Sequence, residues 1–82
     1  MLLVDLKEGQ EAEVTELAAG WEARKRLMDL GIHAGTRLTL LAVHPMGGPL
    51  LVKVGGSHVA LGRGIARKLS VELDAKDARH VE

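Results

Sequence analysis

The sequence predicts a mainly β fold, a small barrel of about five short strands with one inserted α-helix. Two patterns support this prediction: short runs rich in valine and leucine that are separated by brief turns, and one segment with helical periodicity. A chain of 82 residues has room for one domain only. Because Trp21 is the only aromatic residue, its core must be aliphatic.

The first strand is predicted at residues 10–17, where apolar and polar side chains alternate. Ala12 and Val14 stand between acidic residues there, a pattern typical of a strand with one buried face. Leu3 and Leu6 precede it and are expected to cover one end of the barrel.

A short amphipathic helix is predicted at residues 22–30. Ala23, Leu27 and Leu30 recur at intervals of four and three residues, as expected for a stripe that faces the core. Glu22 and Arg26 have the spacing of a helical ion pair.

Both ends of this helix carry further signals. Gly31 is expected to cap it in a left-handed conformation, with Ile32 folded back onto the last turn as in a Schellman motif. Trp21 precedes the helix, and its ring is expected to pack over the barrel end against Leu6 or Leu27, with an exposed anchor as the alternative.

The remaining strands are predicted from three β-rich runs and a final alternating segment. Gly55-Gly56 provides a two-residue hairpin turn, and residues 44–49 form a longer loop with two prolines and two glycines. Residues 62–68 suggest a single helical or 3-10 turn that carries Ile65 and Ala66 inward. The predicted strands are Arg37–Val43, Leu50–Val54, Ser57–Leu61 and Leu69–Leu73. Residues 1–73 therefore form the barrel domain, and residues 74–82 form a polar tail that is expected to fray.

Composition argues against several classes of function. Lysine plus arginine equals aspartate plus glutamate at 11 each, whereas nucleic-acid binders usually carry a basic excess. The absence of cysteine excludes a disulfide framework and thiolate metal ligands. The N-terminal segment lacks the pattern of a signal peptide, and no apolar run approaches the ~18 residues of a membrane span. We therefore expect a cytoplasmic protein with no direct membrane insertion.

The sequence shows no constellation of catalytic or cofactor-binding residues. There is no phosphate-binding loop, because residues 62–64 lack the lysine and the long helix that such a loop requires. The histidines are spaced unlike any compact ligand set, so surface positions are expected for all of them: His33, His44, His58 and His80. We expect neither an enzyme nor a resident metal or cofactor.

Two segments in this order resemble the ferrous iron transport protein A (FeoA) family. The first is residues 26–35, Arg-Leu-Met-Asp-Leu-Gly-Ile-His-Ala-Gly, and the second is residues 45–50, Pro-Met-Gly-Gly-Pro-Leu, ahead of the Gly55-Gly56 hairpin. The resemblance covers residues 3–71. It implies an SH3-like barrel and a cytosolic accessory protein that works with the membrane transporter FeoB, whose cytosolic part is a GTPase.

The resemblance also leaves an alternative function open. SH3-like domains occur at the C-terminus of metal-dependent repressors, so the chain could instead be a self-associating regulatory module, a homo-oligomer formed by pairing of edge strands. A third, weaker reading is nucleic-acid binding by basic residues that converge on one face: Arg24, Lys25, Arg26, Arg63, Arg67 and Lys68.

Two surfaces are candidates for the partner contact. One is the outer surface of the helix, with Arg24, Lys25 and Met28, although a solvated face is the simpler explanation of these residues. The other is the loop tip, because an apolar methionine at a loop tip has no core to fill. The loop candidates are Pro45, Met46, Gly47, Gly48 and Pro49.

Overall fold

The computed structural model describes residues 1–75, and these residues form five strands, two helices and one 3-10 turn. The 3-10 turn lies at Leu3–Asp5, ahead of the first strand. The strands are β1 (Glu11–Leu17), β2 (Arg37–Val43), β3 (Leu50–Val54), β4 (Ser57–Leu61) and β5 (Leu69–Leu73), and the helices are α1 (Trp21–Asp29) and α2 (Arg63–Ala66). The predicted strands and the inserted helix are confirmed.

The strands form one antiparallel sheet in the order β4-β3-β2-β1-β5. The register shifts twice, between Val14 and Glu16 in β1 and between Leu40 and Ala42 in β2. Because bulges bend a strand and increase its local twist, the sheet can curl around its own buried face. β1 lies between β2 and β5 in the sheet, so the last strand of the chain pairs with the first.

The core is aliphatic, as predicted. Ala12 and Val14 of β1 are both buried, which confirms the alternating pattern of that strand. Leu3 and Leu6 are buried as well. The other buried apolar residues are Leu27, Ile32, Leu38, Leu40, Leu50, Val52, Val59, Leu61, Ala66, Leu69 and Val71.

The N-terminal residues cover the outer edge of β5. The N–H of Val71 donates to the carbonyl oxygen of Met1 at 2.7 Å, and Leu2 forms an antiparallel bridge with Ser70. β4 lies at the opposite edge of the sheet. Along residues 1–75, no segment pairs with its outer side.

The helix α1 ends as the sequence predicts. Gly31 has a φ of 87°, and its N–H donates to the carbonyl oxygen of Met28 at 2.9 Å. The N–H of Ile32 reaches back to the carbonyl oxygen of Leu27 at 2.8 Å. This pair of bonds is the Schellman arrangement, and the side chains of Leu27 and Ile32 are both in the core.

Two predictions about α1 are wrong. Leu30 is 46% exposed although the helical stripe placed it in the core, because it is the C-cap residue and already departs from helical geometry (φ −91°, ψ 2°). Trp21 is 73% exposed and does not pack over the barrel end, because it is the first residue of the helix and only Leu27 is fully buried there. Glu22 and Arg26 are both exposed and make no ion pair in the described part of the chain.

The segment around β5 is anchored at both ends. Ala66 of α2 is fully buried and Ile65 is half-buried against the core, so both point inward as the sequence predicts. After β5, the N–H of Asp74 donates to the carbonyl oxygen of Glu11 at 2.9 Å, and its carboxylate accepts a hydrogen bond from Arg37 at 2.8 Å. The predicted fraying of the tail concerns mainly residues 76–82, which lie outside the described residues.

No helix within residues 1–75 is both long enough and apolar enough to cross a bilayer.

Candidate functional site

The loop between β2 and β3, residues 44–49, is a closed structure. At its base, the N–H of His44 donates to the carbonyl oxygen of Pro49 at 3.1 Å. Nearer the tip, the N–H of Gly48 donates to the carbonyl oxygen of Pro45 at 3.3 Å. The loop is therefore held together by its own backbone and not only by the strands that it joins.

Met46 occupies the tip in an unfavourable backbone conformation. Its φ is 63° and that of Gly47 is 78°, which with the Gly48–Pro45 hydrogen bond matches a type I′ turn. Glycine and asparagine are the usual residues at such positions, whereas a left-handed conformation costs other residues roughly 1–2 kcal/mol. Met46 is 100% exposed, so no side-chain contact with the rest of residues 1–75 offsets that cost.

At position 48 the loop requires glycine because there is no space for a side chain. A Cβ at this position would lie 2.7 Å from the Cβ of His44, closer than side-chain carbons approach in proteins. Since Gly48 does not have a positive φ, the constraint is steric. Residues 44 and 48 therefore lie too close together for any residue other than glycine at position 48.

Arg63 connects this loop to α2. Its Nε donates to the carbonyl oxygen of Gly48 at 3.1 Å, and its Nη2 donates to that of His44 at 3.4 Å. The side chain is only partly exposed. The sequence did not indicate this contact, because 15 and 19 residues separate the partners and no local pattern connects them.

The helix candidates do not form one surface with the loop. Arg24 and Met28 line an open cleft of about 310 Å³ between α1 and β1, whereas the loop lies against α2. The other residues of this cleft are Thr15, Glu16, Leu17, His33 and Ala34. Lys25 lines a separate shallow depression together with Arg26 and two acidic residues, Glu22 and Asp29.

A second, more apolar groove of about 180 Å³ separates α1 from β4 and α2. Its lining residues are Ala23, Arg26, Leu27, Leu30, Ala60, Leu61, Gly62 and Ile65. The groove brings together residues from distant parts of the chain, so the sequence patterns did not reveal it.

In the described part of the chain, neither the histidines nor the six basic residues considered above all come together at one site. Within residues 1–75, no group of three or more histidine or acidic side chains is placed to hold a metal ion. His80 lies outside the described residues. The six basic residues considered for nucleic acid do not line a common depression in this part of the chain, because Arg24 and Arg26 border different clefts and Arg63 is bonded to the loop.

Comparison with known proteins finds similarity to the FeoA domain and to Fe(2+) transport proteins. The model of the FeoA domain matches residues 1–73. A putative Fe(2+) transport protein A of Methanocaldococcus jannaschii is 39% identical over 66 residues, which span 80% of this chain and 78% of that protein. A fusion protein of Fe(2+) transport protein A and the transporter FeoB from Porphyromonas gingivalis is 28% identical over 95% of this chain, which spans only 9% of the fusion protein.

Solved structures agree with these sequence matches. The FeoA protein of Chlorobium tepidum superimposes with a TM-score of 0.87 at 40% identity, over 98% of this chain and 76% of that one. A FeoA of Stenotrophomonas maltophilia in complex with zinc, described as a prokaryotic SH3 domain protein, superimposes with a TM-score of 0.71 at 32% identity, over 88% and 89% of the two chains. A manganese-dependent transcriptional repressor shares the fold (TM-score 0.80) at 21% identity, and this chain spans 41% of its length.

Proposed function

Since this chain belongs to the FeoA family and has its SH3-like fold, we propose that it is a cytoplasmic accessory protein that binds the GTPase-bearing part of FeoB and modulates it. The family consists of small transport-associated domains and is not a family of enzymes. In this proposal the transport of iron and the hydrolysis of nucleotide belong to the transporter, and the present chain contributes a docking surface.

The observation that carries the proposal is the conformation of Met46. An apolar side chain stands fully exposed at a backbone position that disfavours it. Neither burial nor turn preference explains a methionine there. Binding does explain it, because methionine is flexible and polarizable and fits well into an apolar depression of a partner.

The fusion protein of Porphyromonas gingivalis supports FeoB as the partner. That protein contains both components in one chain, which keeps the two at a high effective concentration. The present chain is similar to the Fe(2+) transport protein A component, and in this proposal it docks on FeoB through a surface of its own. A preformed loop with an exposed apolar tip is suited to that task.

The outer surface of α1 is the second part of the proposed docking surface. Met28 is 56% exposed and borders the same cleft as Arg24. Trp21, on the same helix, adds an exposed aromatic side chain of the kind that often dominates interfaces. Because the helix and the loop do not share a depression, each is expected to contact the transporter independently.

The loop is tested by substituting Met46 with alanine. Alanine meets the same backbone cost as methionine, and the side chain is fully exposed, so the free energy of unfolding should change by less than about 0.5 kcal/mol. Affinity for FeoB should fall by roughly 1 kcal/mol or more, because the apolar tip is lost. The measurement is calorimetric titration of the purified cytosolic part of FeoB, at fixed salt, with thermal unfolding of each variant alongside.

The matched control is His58→Ala, which removes an exposed side chain from β4. Equal affinities of the wild type and Met46→Ala would exclude the loop from the interface and leave α1, tested by Met28→Ala, as the docking surface. A large loss of stability on Met46→Ala would show instead that the side chain is packed in solution.

Self-association is the second candidate function, and one observation favours it. The outer side of β4 is unpaired within residues 1–75, and an open edge can pair with an edge of another chain. A second copy joined in this way would extend the sheet. Light scattering measures the molar mass of the protein across a concentration series, with and without the cytosolic part of FeoB. A dimer that FeoB does not disrupt would favour self-association.

A further inference from the structure

Within residues 1–75, the loop at residues 44–49 (the Met46 loop) accepts side-chain hydrogen bonds from one residue of another element, Arg63. We infer that Arg63 is a positioning residue of this loop, and that its guanidinium group keeps Met46 in the geometry that the partner recognises. The inference rests on the proposed function of the loop. It concerns a residue outside the loop, on the helix α2.

The geometry of the contact suits an arginine. The two acceptors, the carbonyl oxygens of Gly48 and His44, belong to the two sides of the loop. A guanidinium group presents several N–H donors in a rigid planar fork, so it can bond to both sides at once. Lysine has one compact nitrogen at the end of a flexible stem, so it can reproduce this bridge only in part.

The helix α2, which carries Arg63, is itself fixed to the core. The N–H groups of Ala66 and Arg67 donate to the carbonyl oxygens of Gly62 and Arg63, both at 3.0 Å, which closes the turn of α2. Ala66 is fully buried in the core. The backbone that carries Arg63 is therefore fixed relative to the barrel, and the loop is fixed through Arg63.

The loop needs such a clamp because of its composition. Gly47 and Gly48 have wide conformational freedom, and Met46 is in a conformation that it does not prefer. Only two backbone hydrogen bonds within the loop oppose this freedom. Without Arg63 the loop is expected to spend more time in other conformations, and the apparent affinity falls in proportion to the fraction that remains competent to bind.

The first test compares the affinities of four proteins for the cytosolic part of FeoB: the wild type, Arg63→Ala, Arg63→Lys and Arg67→Ala. We expect Arg63→Ala to weaken binding roughly fivefold or more, and Arg63→Lys to be intermediate. Arg67→Ala is the matched control, since it removes an exposed arginine from the end of the same helical turn and should bind like the wild type. Circular dichroism at the titration temperature verifies that each variant is folded.

The second test asks whether Arg63 acts through Met46. In a double-mutant cycle, Arg63→Ala should have little further effect in a Met46→Ala background, because there is no longer an anchor to position. If Arg63→Ala weakens binding equally in both backgrounds, Arg63 contacts the partner directly or acts elsewhere, and the inference is wrong.

The third test needs no partner. The amide hydrogen of Gly48, which is bonded to Pro45 in the loop, should exchange with solvent several-fold faster in Arg63→Ala than in the wild type, while amides of the core strands remain unchanged. Unchanged exchange at Gly48 would show that the loop holds its shape without Arg63. Failure of Met46→Ala alone to weaken binding would refute the loop as a docking site, whereas this exchange measurement would still decide whether Arg63 clamps it.

Discussion

Two residues with positive φ show opposite relations between residue type and backbone. At Gly31 the chain has the residue that a left-handed helix cap requires. At Met46 the backbone is also left-handed, yet the side chain is one that the conformation disfavours. The first choice is explained by folding, and the second is the reason for proposing a binding role.

Replacing Met46 by asparagine should raise stability. Asparagine tolerates the left-handed region better than methionine, and no buried contact is lost, so we expect a gain of about 0.5–1 kcal/mol. The same variant should bind FeoB more weakly, since its tip is polar. Urea denaturation measures the gain, and Met46→Ala is the control that keeps the backbone cost. A variant no more stable than the wild type would mean that residue 46 is not left-handed in solution.

Substituting Gly31 by valine should destabilise the protein by an amount on the order of 1–3 kcal/mol. The left-handed backbone accounts for this cost at the Cβ, because a Cβ at this position would lie 3.8 Å from Cγ1 of Val54, an ordinary contact distance. Gly31→Ala should cost less than valine, since valine is also β-branched. The midpoint of chemical denaturation measures both variants, and an unchanged midpoint for valine would contradict the cap geometry.

At the scale of elements, α1 is attached to the barrel by a narrow contact. Leu27 is its only buried side chain, while Trp21 and Met28 are mostly exposed and the C-cap residue Leu30 is about half exposed. A helix held in this way keeps most of its surface available for a partner. Its position depends on Leu27 and on the Schellman cap that follows.

Leu27 of α1 and the C-cap residue Leu30 should therefore differ in their contribution to stability. Leu27→Ala is expected to cost about 2–4 kcal/mol, because it leaves a cavity in the core. Leu30→Ala should cost less than about 1 kcal/mol, because the side chain is already half in solvent. Equal losses, measured by chemical denaturation, would mean that Leu30 is buried in solution as its helical spacing suggested.

For the whole molecule, the order of strands decides which backbone edges are accessible. β1 lies inside the sheet, and the segment at Met1 and Leu2 covers β5. The candidate loop connects β2 and β3 and is held from α2, so its position depends on three elements that meet only in the folded protein.

The purified protein is expected to retain no stoichiometric ferrous iron after anaerobic dialysis and to hydrolyse no nucleotide. The physical reason is that the sequence contains neither a compact ligand set nor a phosphate-binding loop. Iron analysis after dialysis and a phosphate-release assay make the measurement, with the protein plus FeoB as the positive control for hydrolysis. A one-to-one iron complex that survives dialysis would contradict the assignment of a purely docking role.

Most of the fold could be predicted from the sequence, because its signals are local. Alternation in β1, the Gly55-Gly56 turn and the Gly31 cap each depend on a few neighbouring residues, and the structure confirms all three. The exposed tip at Met46 also follows from a local signal, since a methionine at a loop tip has no core to fill.

Only the tertiary structure decided what depends on contacts between distant residues. Helical spacing could not show that Leu30 and Trp21 are exposed, because burial depends on what packs against a helix and not on the helix alone. The clamp from Arg63 joins residues 15 and 19 positions apart, and it exists only because the fold places α2 beside the loop. Periodicity and turn chemistry act between neighbours, whereas the position of a binding loop is determined by the packing of the whole chain.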